Sequence, residues 1–107
     1  MKEYLDRLDE LLSDESKWTK GAYAVDKYGY HCDVKSEQAI RWCLVGAMMR
    51  ISPHRHGELR GIISYCLGGD SVMDWNDSPK RTFADVKALI ARAKEMAVAQ
   101  TGEAGDG

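Results

Sequence analysis

The stretch Ser36 to Ile51, SEQAIRWCLVGAMMRI, decides the fold. Ala39, Ile40, Cys43, Leu44, Ala47, Met48 and Ile51 recur at the spacing that lines one face of a helix. Trp42, Val45 and Met49 form a second apolar stripe, and Arg41 is the only charge between Ala39 and Met49. A helix apolar nearly all round belongs inside a protein or a membrane. This one is too short, and too closely flanked by Glu37 and Arg50, to span a bilayer. The pattern predicts a buried central helix over 36–51, with Ser36 as N-cap and Glu37 in its first turn. Gly46 in mid-helix costs roughly 1 kcal/mol against Ala. It is expected where another segment, such as a tryptophan ring, comes close.

The flanking segments supply the elements that pack on this helix. Lys2 to Leu12 is amphipathic, with Tyr4, Leu5, Leu8, Leu11 and Leu12 on one face, and is expected to dock on the central helix. Asp26-Lys-Tyr-Gly29 has turn chemistry, which predicts a small β-hairpin or an irregular stretch at 24–34. Ser52-Pro53 is expected to open a third helix, buried through Leu59, Ile62, Ile63, Cys66 and Leu67 and stopped by Gly68-Gly69. Gly57 and Gly61, four apart, would admit a second helix backbone. Asp70 to Arg81 is expected to be a loop folding Val72, Met73 and Trp75 back onto the core. Thr82 with Asp85 suggests a capping box. The last helix buries Phe83, Val86, Leu89, Ile90, Ala93 and Ala97 and leaves Lys87, Arg92, Lys94 and Glu95 in water. The fold class is therefore mainly α: a compact four-helix domain around the buried central helix, with residues 1–100 as a single globular domain and 101–107 as a disordered tail.

Composition narrows function by exclusion. A chain of 107 residues with a net charge of −2 has no general pull toward nucleic acid or acidic membrane. No apolar N-terminal run resembles a signal peptide and nothing spans a membrane, so a cytoplasmic location is expected. Three cysteines, an odd count, argue against a disulfide framework.

Four landmarks occur in order: Trp18-x-x-Gly21, then Ala39-x-x-Trp42-Cys43-Leu44-x-Gly46-Ala47, then Trp75-Asn76-Asp77, then Arg81-Thr82-x-x-Asp85-Val86. The series resembles a family of small uncharacterised proteins of bacteria and their phages. The resemblance covers roughly residues 18–97 and leaves the first helix and the tail outside. It implies a fold and carries no activity. It also implies that Trp18, Trp42, Trp75, Asn76 and Asp77 form one constellation.

Candidate chemistry follows from residue types. Trp75 is expected to plug the core while Asn76 and Asp77 bond backbone groups, with Arg81 paired to Asp77 or Asp74. The alternative is a polar pocket beside an aromatic wall. Cys43 with His54 or His56 is a candidate thiol centre, but its predicted place two turns inside a helix removes the help a thiolate needs. His31, Cys32, His54, His56 and Cys66 match no common zinc spacing, so no metal or cofactor is expected. Arg50, Arg55 and Arg60 form a basic patch at a helix start, suited to phosphate. The leading expectation is a non-catalytic interaction or regulatory module, phage-associated and acting on a host or defence protein. Nucleic-acid or nucleotide binding and a small thiol-dependent enzyme are the alternatives. The first helix leaves a homodimer open.

Overall fold

The computed structural model describes residues 2–54 and 56–101, with side chains described as far as Val98. In order they form α1 (Lys2–Leu11), a 3-10 turn (Glu15–Lys17), β1 (Ala24–Val25), β2 (Arg41–Trp42), α2 (Leu44–Ile51), α3 (His56–Cys66), α4 (Val72–Asp77) and α5 (Phe83–Thr101). The fold is mainly α with a small antiparallel sheet, as the sequence pattern predicts. α5 reaches Thr101, the first residue of the expected tail, and residues 102–107 lie outside the described ones.

The central helix is dry but shorter than predicted. Leu44 to Met48 are all buried, whereas Ser36 to Ile40 are irregular around a turn at Glu37–Gln38 and Arg41–Trp42 are extended. Ser36 is thus not the cap of this helix. Its hydroxyl accepts from Gln38 N at 3.0 Å within a local turn. The cap is Cys43, whose Sγ accepts from Gly46 N at 3.2 Å. A continuous apolar run suits a buried strand as well as a buried helix, and Ile40 and Trp42 are strand formers.

β1 and β2 pair with Ala24 opposite Trp42 and Val25 opposite Arg41. Trp18 bridges the free side of β2, with Thr19 N donating to Trp42 O at 3.1 Å. His31 bridges the free side of β1, with Cys32 N donating to Ala24 O at 3.1 Å. The expected hairpin is therefore present around the Asp26–Gly29 turn, where Gly29 takes φ 84°. The main partner of β1, however, comes from Arg41–Trp42. Gly46 explains how α2 reaches this sheet: a Cβ there would stand 1.9 Å from the Tyr23 carbonyl oxygen. The close neighbour is backbone, not a tryptophan ring.

Other boundaries move for local reasons. Ser52 closes α2 as its C-cap, its N–H donating to Met48 O, and does not open α3. A Cβ on Gly57 or Gly61 meets no atom within 4 Å, so no helix approaches there. Gly68 and Gly69, at φ 74° and 94°, stop α3 as predicted. The expected loop at 70–81 contains α4, capped by Ser71. Its helical phase turns Val72 and Asn76, one turn apart, into the core. Trp75 stays half-buried and Asn76 takes the place of the plug.

α5 opens on the predicted capping box: Thr82 N to Asp85 Oδ2 and Asp85 N to Thr82 Oγ1, both at 3.1 Å. Val86, Leu89, Ile90, Ala93 and Ala97 are buried along it. α1 packs chiefly on α5 as well as on α2, with Leu5, Leu8 and Leu12 fully buried. Lys87 and Lys94, expected to face open water, instead clasp α1. Lys94 Nζ lies 2.8 Å from Asp9 Oδ2 and 3.2 Å from Asp6 Oδ1. Lys87 pairs with the Asp9 carboxylate and donates to the Asp9 and Leu12 carbonyls at 3.0 and 3.2 Å, which covers the C-terminal end of α1.

Candidate functional site

Asn76 fastens the sheet to the helices. Its side chain is fully buried. Its Oδ1 accepts from Trp18 Nε1 at 2.8 Å and from Leu44 N at 3.0 Å. Its Nδ2 donates to Thr19 O at 3.2 Å and to Asp77 Oδ1 at 2.9 Å. Asp77 Oδ1 also accepts from Gly21 N at 3.0 Å, and Lys20 Nζ donates to Ser78 O at 2.8 Å. The amide thus ties the segment after α1 to the first turn of α2. A buried amide with its donors and acceptors engaged specifies a single arrangement of these segments.

The other expected binding residues are also spent within the fold. Trp42 Nε1 donates to Val34 O at 3.0 Å. Arg50 donates to Val34 O at 2.8 Å and lies 4.9 Å over the Trp42 ring, strapping the 33–38 loop to α2. Arg81 donates to Trp75 O at 2.8 Å, stacks 4.0 Å over the Trp75 ring and pairs with Asp85 at 3.7 Å. It pairs with neither Asp74 nor Asp77. Trp75 and Arg81 line a separate depression with Cys66 and Arg92, so the tryptophans do not form a single constellation. Of the basic patch, Arg50 is engaged, Arg60 is half-buried in α3 and Arg55 lies outside the described residues.

Cys43 opens on a cleft of about 230 Å³ lined by Gly21, Tyr23, His31, Met73 and Asp77. The histidine brought to it is His31. His54 sits in the turn after α2, and His56 approaches Pro53 O at 3.4 Å. Burial pushes the Cys43 thiol pKa above its ordinary value. The N–H groups of Gly46 and Val45 oppose the rise and the Asp77 charge adds to it. A buried, neutral thiol serving as a helix cap is a weak nucleophile. Among the described residues, no three of His, Cys, Asp or Glu are grouped so as to hold a metal ion, and no helix is long and apolar enough to cross a membrane.

Most of the large apolar and aromatic side chains left outward lie on the segment that Asn76 anchors, with Tyr65 on α3 and Val98 on α5 outside it. Tyr23, Tyr28, Tyr30 and Ile40 are 47%, 72%, 70% and 43% exposed. Asp26 Oδ1 fixes this segment by accepting from Tyr28 N at 2.9 Å and Tyr30 N at 3.0 Å. Beside Tyr28 lies a second cleft, of about 390 Å³, lined by Lys20, Lys27, His31 and Arg41. Its wall shares Ala22 and His31 with the Cys43 cleft.

A model of the family of unknown function DUF6197 matches residues 1–96. The chain belongs to this family. The match takes in α1, which the landmark resemblance left outside. No curated protein and no solved structure matches this DUF6197 chain. Sequence reasoning missed its outward tyrosines and the cations beside Tyr28. The available signal was three tyrosines within eight residues around a glycine turn, too polar a stretch to be strand interior.

Proposed function

We propose that this chain is a small, non-catalytic interaction module that recognises a protein partner through the tyrosine-bearing segment 22–41. One observation carries the reading: Tyr28 and Tyr30 are 72% and 70% exposed on a backbone held at both ends. Tyrosine and arginine are the side chains that dominate protein interfaces, since they bury much area at little entropic cost. A rigid scaffold keeps that cost low. The buried Cys43 and the internally bonded Trp42, Arg50 and Arg81 favour this surface over the tryptophan turn and the thiol. The resemblance of the landmarks to bacterial and phage proteins suggests a cytoplasmic host or defence protein as partner.

Affinity capture from bacterial lysate, with the wild-type chain beside a Tyr28→Ala/Tyr30→Ala variant of unchanged circular dichroism, tests the reading. The expected result is a protein retained by the wild type and lost from the variant. Equal capture by both, or capture by neither, overturns it.

A further inference from the structure

The cleft beside Tyr28 has a definite electrostatic character. Lys20, Lys27, His31 and Arg41 line it, and Asp26 is its one acidic wall residue. The Asp26 carboxylate accepts from the Tyr28 and Tyr30 N–H groups. Lys20 is turned toward Ser78 O, and Lys27 lies 5.2 Å from the Tyr28 ring centroid. Arg41 is exposed on β2, and its guanidinium has no hydrogen-bond or ion-pair partner among the described residues. A chain of net charge −2 thus gathers cations at one cleft on its outward aromatic segment. The adjoining cleft is lined by Tyr23, Met73 and Cys43, which suit an apolar side chain, with His31 and Asp77 also in its wall.

We infer that this pair of clefts binds an acidic segment of a protein partner, with carboxylates at Lys27 and Arg41 and a neighbouring apolar or aromatic residue in the Cys43 cleft. The inference rests on the interaction-module reading and names the chemistry of the partner. Charge complementarity commits the occupant. Single-stranded nucleic acid is disfavoured because it needs a continuous basic track. Here Arg50 and Arg81 are bonded internally, and Asp26 and Asp77 stand in the walls of the two clefts.

Fluorescence anisotropy of three labelled probes tests this: the peptide Glu-Glu-Phe-Glu-Glu, the peptide Lys-Lys-Phe-Lys-Lys, and an oligothymidylate. The proteins are the full chain, Lys27→Glu/Arg41→Glu, Lys27→Ala alone, and Lys35→Glu, an exposed charge that does not line the cleft. The acidic peptide should bind the wild type and Lys35→Glu alike. Its affinity should fall at least about tenfold in the double variant, less in Lys27→Ala, and also on raising salt from about 50 mM to about 0.5 M. Absent binding of the acidic peptide, equal binding by the double variant, or tighter binding of the oligothymidylate or basic peptide overturns the inference. If partner capture still depends on Tyr28 and Tyr30 while the acidic peptide is ignored, the module reading stands and this inference alone falls.

Discussion

At the scale of single residues, small changes of side chain decide how the sheet meets the helices. Gly46 is required because the Tyr23 carbonyl occupies the space of a β-carbon, 1.9 Å away. Gly46→Ala must push β1 off α2 and should destabilise the chain by about 3 kcal/mol, the upper range for overpacking. Gly61→Ala, also in a helix but with open space around it, should stabilise by up to about 1 kcal/mol. Urea unfolding of the two variants checks the contrast, and equal effects would contradict the contact. Cys43 shows the same economy: its sulfur caps α2 and is buried, so a residue that looks like chemistry in the sequence acts as structure.

At the scale of elements, α1 and α5 are held by leucines and by an ionic clasp whose pH dependence is defined. Burial raises the Asp9 pKa, but the hydrogen bonds from Lys87 and Lys94 outweigh it and hold the carboxyl below its ordinary value. Lys94 is raised, first by Asp9 and also by Asp6. The Asp9 contribution is therefore present above the unfolded carboxylate pKa and is lost as pH falls through the lower folded value. The Lys94 contribution is present below the unfolded lysine pKa and is lost as pH rises through the higher folded value. Asp9→Asn should lower stability by about 1 kcal/mol at neutral pH, a figure kept small because a third of the side chain is in water. It should also flatten the acid limb of the thermal-stability curve, and an unchanged acid limb would exclude the clasp. The period of α1 and α5, the Thr82–Asp85 box and the Gly68-Gly69 stop were all legible, because caps and amphipathic stripes are local. The start of α2 was not, because apolar residues from Ala39 to Met49 suit a buried strand followed by a buried helix as well as one long helix. The Asn76 role was half legible. Turn chemistry pointed to backbone bonding, but treating 70–81 as a loop concealed the helical phase that buries Asn76 and leaves Trp75 half-exposed.

At the scale of the molecule, one buried amide joins the long-range parts. Through it the chain before β1, the first turn of α2 and the end of α4 become a single body. The tyrosine-bearing segment is carried on that body as a preformed surface. The tryptophans provide an internal comparison: Trp18 Nε1 donates to Asn76 and Trp42 Nε1 to Val34 O, whereas Trp75 Nε1 has no protein acceptor among the described residues. Asn76→Ala would leave buried donors without acceptors and should cost about 3 kcal/mol. The most direct measurement is hydrogen exchange of the three indole N–H groups in the wild-type chain by NMR. The account predicts that the Trp18 indole exchanges only as slowly as global unfolding allows, alongside the amide of Leu44, while Trp75 exchanges fast. A Trp18 indole that exchanges as fast as that of Trp75 would contradict it.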